Sequence, residues 1–92
     1  MPQAGVLLVT GGGRGIGAAT ARLAAHRGYA VCANYLSNAG AAEALVAEIA
    51  ASGGRAIAVA GDVCDEGDVE RMFDRTEAEL GPVTALVNNA GL

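Results

Sequence analysis

At 92 residues, 52% of them hydrophobic and 17% charged, with mean hydropathy +0.35, the chain has the composition of one small globular unit and not of a disordered segment. A chain this short builds only a thin core, and an aromatic content of 3% leaves packing to Val, Leu, Ile and Ala, with little to anchor a large protein interface. The net charge of −4 hides an asymmetry: residues 1–42 carry Arg14, Arg22 and Arg27 and no acid, whereas the remaining fifty hold ten acids against three arginines; the front of the chain therefore attracts anions, but no dense basic stripe marks a nucleic-acid binder.

In chain order, Val6-Leu7-Leu8-Val9 is a continuous apolar run ending in Thr10 and glycines, as expected of a strand covered on both faces. From about Gly15 to Arg27 an alanine-rich stretch places Ile16, Ala19 and Leu23 at helical spacing, with Gly28 as its stop. Tyr29 to Tyr35 reads as a second strand. Ser37-Asn38 then supplies capping side chains for a helix whose buried stripe is Ala42, Leu45, Val46 and Ile49. Ser52-Gly53-Gly54 breaks that helix, Ala56 to Ala60 is a third strand, and Gly61-Asp62 follows it. A third helix opens at Cys64-Asp65, turns Val69, Met72, Phe73, Thr76 and Leu80 inward, and stops at Gly81-Pro82. Ala85-Leu86-Val87 forms a fourth strand running into Asn88-Asn89-Ala90-Gly91.

This alternation with short connections predicts an α/β fold, a doubly wound parallel sheet. Right-handed crossovers favour the strand order 3-2-1-4, with the topological switch between strands one and four. Ligand should then meet the ends of those two strands, where the glycines and paired asparagines fall. No linker or repeat divides the chain, so residues 1–92 read as a single, partial domain with no second one.

Thr10-Gly11-Gly12-Gly13-Arg14-Gly15-Ile16-Gly17 lies between the first strand and the first helix. Glycines there let backbone approach a pyrophosphate, and the helix start offers free N–H groups and positive potential. A tight turn is the plainer reading of any glycine cluster, but strand before, helix after, no nearby acid and an internal arginine favour phosphate binding. A Walker loop is excluded by the Ala18-Ala19 that follows Gly17 and by the lack of any lysine in the chain. The G-x-x-x-G-x-G spacing from Gly11 to Gly17 fits better than G-x-G-x-x-G.

Cys32 and Cys64 have no metal or redox spacing and read as reduced thiols, and His26 reads as helix surface. The start of the chain lacks a signal-peptide pattern, and no apolar run approaches the roughly 18 residues of a membrane span. A cytoplasmic location without membrane or nucleic-acid partners follows as an expectation, and no metal site is expected.

Taken together, TGGGRGIG after strand one, Asn34-Tyr35 after strand two, Asp62-Val63 after strand three and NNAG after strand four resemble the short-chain dehydrogenase/reductase family over essentially the whole chain. The resemblance implies a Rossmann fold, an NAD(P) cofactor and hydride transfer between it and a carbonyl or alcohol. It implies that Gly11, Arg14, Gly15, Ile16 and Gly17 meet the cofactor phosphates, that Asp62 and Val63 hold the adenine, and that Asn89, Ala90 and Gly91 run beneath the ribose. Asn88 and Thr10 would tie strands together, and for Asp62 a loop-anchoring role is the alternative.

Where an NAD-binding chain places Asp or Glu after strand two, this one has Asn34-Tyr35, with Ser37 and Arg14 available to a 2′-phosphate. NADP is therefore the expected cofactor and NAD the alternative. Members of the family are typically more than twice this long and carry Ser, Tyr and Lys beyond the NNAG motif. No catalytic residue is therefore expected within these 92 residues. The chain reads as the cofactor-binding front portion of an oxidoreductase, expected to pair with a missing C-terminal half or with itself through the strand-four edge. A non-catalytic dinucleotide-binding module or subunit is the alternative.

Overall fold

The computed structural model describes residues 3–13 and 15–89. Seven elements follow one another: β1 (Gly5–Thr10), α1 (Gly15–His26), β2 (Tyr29–Tyr35), α2 (Ala39–Ala51), β3 (Ala56–Ala60), α3 (Glu66–Leu80) and β4 (Ala85–Asn88). All four strands are parallel, in the order β3-β2-β1-β4, as the alternation of apolar runs predicts. The register sets Leu8 between Cys32 on β2 and Leu86 on β4.

Because both faces of β1 and β2 are covered, the core has two halves. On one face Leu7, Val9, Val31 and Ala33 pack against Ala18 and Ala21 of α1 and Leu45 and Ile49 of α2. On the other, Val6, Leu8, Ala30, Cys32 and Val59 pack against Met72 and Leu80 of α3. Each fully buried Val or Leu contributes about 1.5–3 kcal/mol, so this small set supplies most of the favourable term. Thr76 is buried in the second half, and its hydroxyl donates to the Met72 carbonyl at 2.6 Å, which removes the cost of an unpaired group there. Burial pushes the Cys32 thiol up, with the hydrogen bond to Thr76 offsetting part of the rise, so it is a packing group and a poor nucleophile.

The caps act as the sequence predicts. Asn38 Oδ1 accepts the Ala41 N–H at 3.1 Å to start α2, and Asp65 accepts the Asp68 N–H at 3.1 Å to start α3. Acids in the first turn of α3, Glu66 and Asp68, suit the positive end of its dipole.

Helix α1 departs from expectation. Its buried stripe is Gly17, Ala18 and Ala21, with Ala24 and Ala25 partly covered. Ile16, Ala19 and Leu23 face outward, with Ile16 77% and Leu23 54% exposed. The cause lies at the start of the helix: Gly17 sits directly against the Gly11 carbonyl, which sets the rotation of α1, and the residues four, seven and eight positions on are then the ones that meet the sheet. Only small side chains fit at that spacing. Ala21→Leu should therefore destabilise the chain by about 1–3 kcal/mol in urea unfolding, whereas Leu23→Ser should change stability by no more than about 0.5 kcal/mol.

Candidate functional site

Parallel strands put all four C-terminal ends on one edge of the sheet, and the loops that follow them gather there. Gly11 to Gly13 follow β1, Leu36 to Asn38 follow β2, Gly61 to Cys64 follow β3 and Asn89 follows β4. This is the switch point, since β2 and β4 lie on opposite sides of β1.

Four polar side chains, Thr10, Asn34, Asn88 and Asn89, lock these loops together. Asn34 is 2% exposed; its Oδ1 accepts the Gly11 N–H at 3.3 Å, and its Nδ2 donates to the carbonyls of Val59 at 3.2 Å and Gly61 at 3.0 Å. Its own carbonyl accepts the Gly12 N–H at 2.9 Å, while the Tyr35 carbonyl accepts that of Gly61 at 2.9 Å. The Thr10 hydroxyl donates towards Asn88 Oδ1 at 3.1 Å and accepts the Asn89 N–H at 2.9 Å, so Thr10 and Asn88 do tie β1 to β4. Asn89 Nδ2 returns to the Gly11 carbonyl at 3.2 Å.

Asn34 lines the cleft and also ties the loops to one another. Its amide is turned inward and spent on backbone groups, and its neighbours Tyr35, half-buried, and Ser37, exposed, are the ones that reach the surface. Asp62 serves the loop as well as the cleft: its Oδ1 accepts the Cys64 N–H at 2.8 Å, and its own N–H donates to Asp68 Oδ2 at 2.8 Å. Among the described residues the second carboxylate oxygen of Asp62 has no hydrogen bond. Arg14, Ala90 and Gly91 lie outside the described residues.

A cleft of about 210 Å³ opens at this edge, lined by Gly11, Asn34, Leu36, Gly61, Asp62, Val63 and Cys64. Leu36, Gly61 and Cys64 are absent from the residues the motifs single out. Their signal is positional: each stands in a loop directly after a strand end. Beside the cleft, the first N–H groups of α1 carry no acidic partner in the first turn, which suits an anion. A Cβ on Gly17 would come within 2.5 Å of the Gly11 carbonyl and 2.8 Å of Asn89 Nδ2, so the loop closes on the helix only because that residue is glycine. Gly11 itself has φ +63°, the left-handed turn that leads the chain off β1. Among the described residues no group of three or more His, Cys, Asp or Glu could hold a metal, and no helix is long and apolar enough to cross a membrane.

A doubly wound sheet with a glycine loop at its switch point defines a Rossmann-type α/β chain. Residues 5–92 match the family of short chain dehydrogenases, and the chain belongs to that family. It is 46% identical over 87 residues to the uncharacterized oxidoreductase YgfF of Escherichia coli, covering 95% of this chain and 35% of YgfF. It shares the same identity and coverage with a 3-oxoacyl-[acyl-carrier-protein] reductase of Synechocystis. Among solved structures, a Sinorhizobium meliloti dehydrogenase/reductase superposes with TM-score 0.93 at 42% identity, covering 99% of this chain and 36% of that one. A Burkholderia cenocepacia short chain dehydrogenase in complex with NADP gives 0.92 at 46% identity, covering 98% and 37%. The chain thus spans about a third of the length of the relatives it matches.

The Asn34 knot carries a direct test. Asn34→Ala would strand the Gly61 carbonyl and the Gly11 N–H and take one donor from the Val59 carbonyl, so urea unfolding should show a loss of about 2–4 kcal/mol, a surface-sized effect being inconsistent with the knot.

Proposed function

We propose that residues 1–92 form the cofactor-binding front portion of an NADP(H)-dependent oxidoreductase that moves hydride between the nicotinamide and a carbonyl or alcohol. The observation that carries this reading is the junction of Gly11, Gly17 and Asn89, a cradle that a Cβ would fill, set at the acid-free start of α1. The NADP complex of the Burkholderia relative and the reductase from Synechocystis support it.

Within that reading Gly11, Arg14, Gly15, Ile16 and Gly17 face the pyrophosphate. Backbone N–H groups and the helix dipole stabilise its charge, and the exposed Ile16 covers the outer side. The second carboxylate oxygen of Asp62 accepts from the adenine amino group, and Val63 packs on the ring. Asn89, held to Gly11, carries the chain beneath the ribose with Ala90 and Gly91. Tyr35, Ser37 and Arg14 border the 2′-phosphate, and Asn34, in the wall of the cleft, positions the loops. The bound nicotinamide supplies the hydride; these residues hold and orient it. The proposal includes a cytoplasmic setting and a single, partial nucleotide-binding domain that pairs with further family structure along the free edge of β4.

NADP(H) should bind more tightly than NAD(H), because no carboxylate follows β2 to repel the 2′-phosphate or to grip the ribose hydroxyls. Calorimetric titration of the chain carried in a complete family fold reads this directly, and Arg14→Ala should weaken NADP(H) selectively by about 1.5–3 kcal/mol. Tighter NAD(H) binding would reverse the assignment.

Substitutions in the loop separate binding from folding. Gly17→Val should abolish cofactor binding while far-ultraviolet circular dichroism stays close to the parent's, since the side chain displaces Gly11 and Asn89 locally. Gly12, which the motif leaves free, is not a permissive position: a Cβ there would lie 3.1 Å from the Val9 carbonyl oxygen and 3.3 Å from Ala33 Cα, so Gly12→Ala should lower stability measurably.

The 92-residue chain by itself should show no turnover. Reduction of a carbonyl needs a proton donor tuned towards working pH, and the chain has no lysine and no tyrosine followed by one. Reproducible NADPH oxidation across a carbonyl panel by the repurified chain would overturn this.

A further inference from the structure

Asp62 spends almost every polar group it has on its own surroundings. Its carbonyl accepts the Asp65 N–H at 3.0 Å, its Oδ1 accepts the Cys64 N–H at 2.8 Å, and its N–H donates to Asp68 Oδ2 at 2.8 Å. Among the described residues one carboxylate oxygen is left over, on a residue that lines the cleft together with Gly11, Leu36 and Val63. The first two bonds close a turn within the loop, the local bonding to which an Asp side chain is prone. The third reaches outside it, to α3, which is packed on the sheet through Met72 and Leu80.

Asp68 is itself held. Its backbone N–H donates to the capping Asp65 Oδ1 at 3.1 Å, and its own Oδ1 accepts from Arg71, one turn further on. The Asp68 side chain is only 25% exposed, against 71% for Arg71, so the carboxylate is a fixed post with the arginine as its outer cover. An acid three residues after a helix cap ordinarily reaches back to the N–H of the cap residue. Here the Asp65 N–H is already taken by the Asp62 carbonyl, and Asp68 reaches past it to the loop instead. A charge-assisted bond of this kind is roughly twice as strong as a neutral one.

We infer that Asp68 is a positioning residue for the adenine end of the cofactor site: by holding the Asp62 N–H it fixes the direction of the one carboxylate oxygen that the loop leaves free. This inference rests on the proposed reading of Asp62 as acceptor for the adenine amino group. The sign of the effect separates it from plain electrostatics. Asp68 carries negative charge close to a site for an anionic cofactor, so its charge alone opposes binding and its removal would strengthen binding. Loss of position acts the other way.

The test is calorimetric titration of the chain, alone and carried in a complete family fold, with NADP and with its hypoxanthine analogue, in which oxygen replaces the adenine amino group. The unaltered chain should prefer NADP by about tenfold, the size of one hydrogen bond to a charged group. Asp68→Ala should weaken NADP by about tenfold and bring that preference close to one. Asp68→Asn removes the charge but keeps an oxygen for the Asp62 N–H, so it should hold NADP at least as tightly as the unaltered chain. Glu70→Ala, which removes an exposed acid from the same helix, should not weaken binding. Without cofactor, the Asp62 amide hydrogen should exchange about tenfold faster in Asp68→Ala and not in Asp68→Asn. Unchanged or tighter NADP binding by Asp68→Ala, an unaltered preference for NADP over the analogue, equal losses in the two Asp68 variants, or an Asp62 amide that exchanges no faster overturns the inference. The proposed function is read separately on the unaltered chain: if it binds NADP and Asp68→Ala binds no differently, the inference falls alone, whereas failure of the unaltered chain to bind NADP in either form overturns that reading and the inference with it.

Discussion

Everything at the ligand edge depends on one buried amide. Asn34 sits where β1, β2 and β3 end together, and it offers both an acceptor and two donors in a space that water does not reach. Three loops leave the sheet there in different directions, so groups such as the Gly11 N–H and the Gly61 carbonyl turn to the Asn34 side chain, and leaving them unpaired would cost about 1–3 kcal/mol each. A carboxamide meets both kinds of group at once. An aspartate would present only acceptors to the carbonyls of Val59 and Gly61, and an apolar residue would present nothing.

From that knot the rest of the site follows by contact. Gly11 is held by Asn34 on one side and Asn89 on the other, Gly17 lies against Gly11, and the rotation of α1 is thereby set. The same rotation turns alanines inward and the larger Ile16 and Leu23 outward. A requirement for close approach at the loop has thus decided which face of a helix is buried, against the simplest expectation from side-chain size. The exposed Ile16 then lies in the acid-free first turn of the helix, while the helix contributes to the core through backbone proximity and small methyl groups.

The charge asymmetry serves the same division. No acid lies in the first turn of α1, whereas the exposed face of α3 carries most of the acids, partly paired with Arg71 and Arg75. Exposed pairs of that kind contribute only a few tenths of a kcal/mol each; the acids that form them lie on α3, on the opposite face of the sheet from α1. Weak coverage of β4 on the α3 side, by contrast, leaves its edge and Leu86 unprotected, which is unfavourable for a small isolated sheet.

How much of this was legible in the sequence depends on the range of the interaction. Strand and helix identities came from local period and from caps such as Asn38 and Asp65, because those signals are made within a few residues. The order 3-2-1-4 followed from handedness, and the glycine loop and NNAG motif marked the ligand edge, because glycines and paired amides at strand ends have few other uses. What only the tertiary structure decided were interactions between residues far apart in the chain. That Asn34 ties the loops together could not be read locally, because Val59 and Gly61, more than twenty residues away, take its donors. Gly12 looked free until Ala33 was found beside it, and the stripe of α1 could not be assigned without knowing that Gly17 touches Gly11. Local pattern specifies which element forms; the rotation and packing of that element are set by neighbours that the sequence does not place beside it.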